Sequence, residues 1–199
     1  MIIDACEPLA VEIIGTIRQG DHQKLLETLR KNPRIAGVII YDREQDTGRS
    51  LLHIATDWPG QFPGVSKTIE MITAAGCDPD VRMQGPHTET PLHWAASSDD
   101  TDAINALVNS GADLELSGSV TDGGTALSNA VNFGQWHAAE LLVQLGAQTN
   151  LYQAAALGLV TRVTTRLGEP PLPIQAALDY AFWMACSRGK VKCRAVAAR

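Results

Sequence analysis

The 199-residue chain is 45% apolar and 19% charged, with 16 basic against 22 acidic side chains and a formal net charge of −6. This is an ordinary globular composition, long enough to bury a core without disulfides or metals, and its acidic balance argues against nonspecific nucleic-acid binding. No apolar run approaches the roughly 18 to 20 residues of a membrane span, and Asp4, Cys6 and Glu7 stand where a signal peptide wants basic and then apolar residues, so a cytoplasmic location is expected.

From the N-terminus, residues 9–31 read as a helix pair. Ile13, Ile14 and Ile17 lead to Gly20-Asp21, and Leu25, Leu26 and Leu29 follow at helical spacing. A period then sets in. Thr90-Pro91-Leu92-His93-Trp94-Ala95-Ala96 recurs as Thr125-Ala126-Leu127-Ser128-Asn129-Ala130-Val131, and Gly111-Ala112 recurs as Gly146-Ala147, both 35 residues apart. An earlier copy, Ser50-Leu51-Leu52-His53-Ile54-Ala55-Thr56, leads to Gly76-Cys77-Asp78, again 35 residues before Gly111. Two independent landmarks thus keep one register, which is the signature of a repeat architecture.

Within one copy the local chemistry is that of two short helices. Thr90 suits the N-cap and Pro91 the first helical position, where its missing N–H is harmless. Leu92, Ala95 and Ala96 form a narrow apolar stripe of mostly small residues that lets neighbouring helices approach closely. Ala103, Ile104, Leu107 and Val108 give the second helix its apolar face, and Gly111 ends it where a left-handed residue is favoured. Between Ala55 and Ile69, the segment Trp58-Pro59-Gly60-Gln61-Phe62-Pro63-Gly64 stretches the Leu52 to Leu92 interval to 40 residues. Its prolines and glycines make it a loop.

The pattern resembles the ankyrin repeat, with its T-P-L-H-x-A helix start and a second helix ending in G-A-D. Residues 48–150 carry the resemblance most strongly. It implies an all-α ankyrin-repeat solenoid of stacked helix-turn-helix units with short hairpin or loop fingers. One domain over residues 1–199 is expected: a cap-like repeat at 9–40, repeats at 48–82, 83–117 and 118–150, a degenerate repeat at 151–173, and a partial one at 174–199. In that last segment, Ala177, Ala181, Phe182 and Ala185 are expected inside.

The family resemblance also implies where a partner protein would bind: on the finger loops and the exposed positions of the first helices. The fingers at 41–48, 79–88 and 114–124 bring Asp46, Arg49, Met83, His87, Glu89, Val120 and Asp122. The first helices and the insertion bring Asp57, Trp58, Phe62, Trp94, Ser97, Ser98, Asn129, Asn132 and Phe133. A stripe mixing Trp, Phe, Asn and Asp suits a polar interface with a few aromatic anchors. The competing reading has Trp58 and Phe62 folding back to seal the helix turn, with Trp94 packing on the adjacent repeat.

No arrangement in the sequence specifies catalysis or a cofactor. His53 and His93 occupy the histidine position of the repeat, where the resemblance implies a hydrogen bond that ties neighbouring loops. His87, His93 and Cys77 lack a fourth ligand at a spacing that suits zinc. Asp99, Asp100 and Asp102 fall on an inter-helix turn, where acids cap the second helix, and Asp99 takes the place of a turn glycine. No phosphate-loop, G-x-S-x-G or H-E-x-x-H motif occurs. A small-molecule or enzymatic site would need Trp58, Phe62, His87 and Trp94 to converge on a deep pocket. The cysteines Cys6, Cys77, Cys186 and Cys193 are scattered and expected as free thiols.

Arg188, Lys190, Lys192, Arg194 and Arg199 put five positive charges on the C-terminal end with no acid, against 11 basic and 22 acidic residues up to Ser187. The plainer reading is a solvated end that complements the negative C-terminus of the preceding helix. The expectation is a non-catalytic protein-binding module without cofactor or metal. Self-association through an incomplete C-terminal repeat is the alternative.

Overall fold

The computed structural model describes residues 1–189. The expectations placed on Lys190, Lys192, Cys193, Arg194 and Arg199 lie outside the described residues. The chain forms two compact units, one of residues 1–138 and one beginning at Ala139.

The first unit opens with β1 (Ile2–Asp4), α1 (Pro8–Gln19) and α2 (His22–Lys31). Gly20 takes a left-handed conformation (φ 67°) at the turn between the helices, and Asp21 caps α2 by accepting from the Lys24 amide at 3.0 Å. A short 3-10 turn (Ile35–Gly37) leads to β2 (Ile39–Asp42) and β3 (Thr47–Ser50). β2 pairs with β3 antiparallel, Ile39 opposite Ser50, and with β1 parallel, Ile2 opposite Ile39. The finger expected at 41–48 is therefore the tip of a hairpin in a three-stranded sheet. The sheet is an addition to the expected all-α architecture. It forms because β-branched Ile2, Ile3, Ile39 and Ile40 favour extended backbone, and Ile3 and Ile40 bury on its inner side.

Helices follow at the repeat period: α3 (Leu51–Ala55) with α4 (Val65–Ala74), α5 (Pro91–Ser97) with α6 (Thr101–Asn109), then α7 (Ala126–Asn132) and the start of α8 (Trp136–Gln144), which runs on into the second unit. First helices pack on first helices, α3 on α5 and α5 on α7, while α4 packs on α6. The interface between them is the predicted small-residue stripe: Ala55, Leu92, Ala95, Ala96, Ala126 and Ala130 are buried, backed by Ile69, Ile72, Ile104 and Leu107 from the second helices. Small side chains on the first helices set the close spacing, and the large ones on the second helices fill the volume behind.

The second unit contains α9 (Leu151–Leu157), α10 (Val160–Gly168) and α11 (Gln175–Ser187). Asn150 and Gln153 form a reciprocal capping box, with Asn150 accepting from the Gln153 amide and Gln153 from the Asn150 amide. Leu151, Ala154, Ala155, Val163, Ala181 and Ala185 make its core. Phe182, expected inside, is exposed. Ala181, Met184 and Ala185 define the inward stripe of α11, and Phe182, one residue on from Ala181, is rotated about 100° away from it. Ala177 is half-buried.

Candidate functional site

The repeat histidines hold the first unit's loops in register. Nδ1 of His53 accepts from the Ser50 amide (3.3 Å) and hydroxyl (2.8 Å), which leaves Nε2–H to donate to the Glu89 carbonyl at 3.1 Å, 36 residues away. His93 repeats this with Thr90 and the Gly124 carbonyl at 3.2 Å. Each imidazole therefore spans from its own helix start to the end of the next finger. Burial is the main reason both are held neutral: the His53 pKa is pushed down to about 4, with the nearby positive charge of Arg49 adding to it and the Glu89 carbonyl opposing, and that of His93 also falls.

Glu89, at the end of the second finger, is only 6% exposed. Its Oε2 accepts from the Trp94 indole N–H at 3.1 Å, and its Oε1 accepts from the Asn129 amide at 2.5 Å and from the Val120 backbone at 3.4 Å. One carboxylate thus joins two successive repeats. Asn129, expected at an exposed position, is fully buried, and its Nδ2 also lies within reach of Ser97 Oγ at 3.0 Å. The Glu89 and Ser97 oxygens hold the Asn129 NH2 beneath the surface, whereas the helical position alone points it outward.

Above this network lies a groove of about 250 Å³. α3 and the insertion contribute Thr56, Asp57 and Trp58, the second repeat contributes Glu89, Trp94, Ser97 and Ser98, and the third contributes Val120 and Phe133. Trp94 is half-buried, standing edge-on to the His53 ring with centroids 5.0 Å apart. Trp58 is 80% exposed and Phe133 49% exposed, so two large rings form an open rim. Asp57 is tied down by Arg18 at 2.7 Å and Arg49 at 3.3 Å.

Eight predicted residues meet at this groove: Asp57, Trp58, Glu89, Trp94, Ser97, Ser98, Val120 and Phe133. The others stand elsewhere. Asp46 sits at the hairpin tip with a left-handed φ of 53° and accepts from the Tyr41 hydroxyl. Met83 is half-buried, while His87 and Asp122 are exposed. Asn132 donates to Thr121 at 2.7 Å. Phe62 lines a separate, more polar cavity with Gln61, Ser66, Asp100, Asp102 and His137. Trp58 and Phe62, four positions apart in one loop, therefore serve different surfaces. Thr56 completes the groove. Thr56 is fully buried at the end of its repeat signature, while Val120 is legible only as a finger residue.

The acidic turn does what its position in the repeat requires. Asp99 adopts φ 53° in place of the turn glycine, and its two oxygens lie 2.7 Å from the Ala138 amide and from His137 Nδ1. Asp100, buried, caps α6 through the Ala103 amide at 3.0 Å and accepts from the Gln61 amide at 2.6 Å, which anchors the insertion. Among the described residues, Cys6, Cys77 and Cys186 are free thiols. Burial, reinforced by Asp78, pushes Cys77 up to about 12, which leaves it without thiolate character at neutral pH.

The repeated helix pairs, the fingers and the histidine ties define a repeat protein of stacked helix-turn-helix units. The family described as "Ankyrin repeats (3 copies)" matches residues 52–153, so the chain belongs to the ankyrin-repeat family, and its fold is the all-α ankyrin solenoid with a small sheet added. Proteins of this family generally act by binding other proteins, and their repeat domains are typically non-enzymatic. One curated relative, Protein PhlB of Serratia liquefaciens, is 28% identical over a match covering 53% of this chain and 56% of PhlB, so the chain spans little more than half the length of that relative. Among the described residues no helix is long and apolar enough to cross a membrane.

Proposed function

We propose that this chain is a non-catalytic binding module that takes a partner protein in the groove between Trp58, Trp94 and Phe133. The observation that carries the reading is the convergence of three repeats on one open groove whose rim exposes two large aromatic rings. Aromatic anchors over a pocket with a polar margin are what dominates binding energy at protein interfaces. The groove floor is fixed by the Glu89 network, so little ordering cost falls on this side of the interface.

The test is a Trp58→Ser, Phe133→Ser double variant used beside the native chain to capture proteins from the source cells, with every captured protein then purified and titrated. Because both rings are exposed, melting should change by less than about 0.5 kcal/mol equivalent. Affinity for the partner should fall by about 30-fold or more. A partner that binds both forms equally would remove the groove from the interface.

A second reading is favoured by a specific observation in the second unit. Leu172, Ile174, Phe182 and Trp183 are all exposed, with Trp183 stacked on Tyr180 at 5.9 Å. An apolar face of this kind supports self-association with a second copy. Light scattering at increasing concentration should show dimer for the native chain and monomer for Trp183→Ser. A monomer at every concentration would end this reading.

A further inference from the structure

We propose that the groove selects a lysine side chain of its partner, whose ammonium enters between the aromatic rings and pairs with the Glu89 carboxylate. The inference rests on the binding reading above and specifies the chemistry of its occupant.

Three observations carry it. First, Glu89 is a carboxylate 94% removed from solvent that lines the groove, and all three of its donors are neutral: the Trp94 indole, the Asn129 amide and the Val120 backbone. A buried charge is normally paired with a cation. Among the described residues, Arg18 and Arg49 pair with Asp57, and Arg82 donates to the Thr88 and Ser117 carbonyls at 2.8 and 2.7 Å. Second, the groove walls are Trp58, Trp94 and Phe133, whose ring faces attract a cation, with Trp the strongest of the aromatic side chains. Third, residues 1–138 hold 19 acidic against nine basic side chains, so the whole unit draws a basic segment toward it.

The hydrogen-bond inventory of Glu89 selects lysine over arginine. A carboxylate has about four acceptor positions, two on each oxygen. Oε1 is filled by Asn129 and Val120, and Oε2 holds only Trp94. One position is open, on Oε2. A guanidinium binds a carboxylate best through two parallel N–H donors, one to each oxygen, and Oε1 has no room for the second. An ammonium is a compact charge that can use a single acceptor, and its four-carbon stem packs along the rings.

A library of random dodecapeptides displayed on phage, selected against the full chain, tests this without a known partner. The enriched peptides should share a lysine. In the synthetic peptide, norleucine at that position should weaken binding about 10- to 100-fold, the worth of a charge-assisted hydrogen bond, and arginine should bind more weakly than lysine. Glu89→Gln should abolish the lysine preference. Since that variant also disturbs Trp94 and Asn129, Trp58→Leu is the second arm: Trp58 is 80% exposed, so the fold stays intact while affinity for the lysine peptide falls about 3- to 5-fold. Peptides that depend on Trp58 but tolerate norleucine would overturn the lysine assignment and leave the groove as a binding site. Peptides indifferent to Trp58 and Glu89, or no enrichment at all, would overturn both.

Discussion

Taking the protein from pH 7 to pH 4 is expected to remove about 3 kcal/mol of stability through His53 alone. The imidazole is fully buried and neutral, accepting at Nδ1 from Ser50 and donating from Nε2 to the Glu89 carbonyl. Its folded-state pKa is about 4, against 6.5 in the unfolded chain. The folded pKa is depressed, so below 6.5 the unfolded chain takes up a proton that the folded one refuses. Stability is therefore complete above about pH 6.5, declines as pH falls toward 4, and levels off below it. His93 is shifted in the same direction and adds to the decline. Against a total stability of about 5 to 15 kcal/mol for a typical domain, this is a large fraction. The measurement is the urea midpoint at half-unit steps between pH 7 and pH 4, for the native chain and for His53→Gln. The variant will be less stable at pH 7, because the tie from Ser50 to Glu89 is weakened, and its slope between pH 6.5 and 4 should be visibly flatter. Parallel slopes would mean that carboxylates, not His53, carry the acid sensitivity.

The repeat was legible because two separate signals shared one period: the Thr-Pro-Leu-His type of start and the glycine that ends the second helix. Each is a local requirement, a cap and a left-handed residue, that the sequence must meet in every copy. The sheet was not legible in the same way. β1 is three residues long, too short to show alternation, and its stability comes from pairing with Ile39 and Ile40, nearly 40 positions away. The groove was legible in part. Repeat position points to Trp58, Trp94 and Phe133, but says nothing of depth. Asn129 follows the same positional logic as Asn132 and is nevertheless buried, because Glu89, 40 residues earlier, turns inward to meet it. Trp58 and Phe62 could not be separated from one sequence, since the fold of their loop is decided by a partner outside it.

That partner is Asp100, and Asp100→Ala is expected to lower stability by about 2 to 4 kcal/mol while also loosening the groove. The side chain is 1% exposed and serves two elements at once. Its Oδ1 caps α6 through the Ala103 amide, a contribution of about 1 kcal/mol in most helices. Its Oδ2 accepts from the Gln61 amide at 2.6 Å, across 39 residues, and this holds the insertion that carries Trp58. Removing the carboxylate leaves both N–H groups without their acceptor; for the buried Ala103 amide this costs about 1 to 3 kcal/mol, and for the partly buried Gln61 amide less. Asp100→Asn separates the two roles. Its carbonyl can still cap α6, but its NH2 then faces the Gln61 amide, donor against donor, so roughly half the loss should remain. Asp102→Ala is the control: Asp102 is exposed in the first turn of α6 and interacts mainly with the helix dipole, an effect below about 1 kcal/mol. Urea unfolding gives the stabilities, and protease cleavage within residues 58–64 reports on the insertion. The expected result is faster cleavage in Asp100→Asn than in Asp102→Ala, with weaker partner binding following the cleavage rate. Equal losses for Asp100→Ala and Asp102→Ala, with the insertion equally protected, would show that Asp100 acts as a helix cap alone and that the loop holds Trp58 in place by itself.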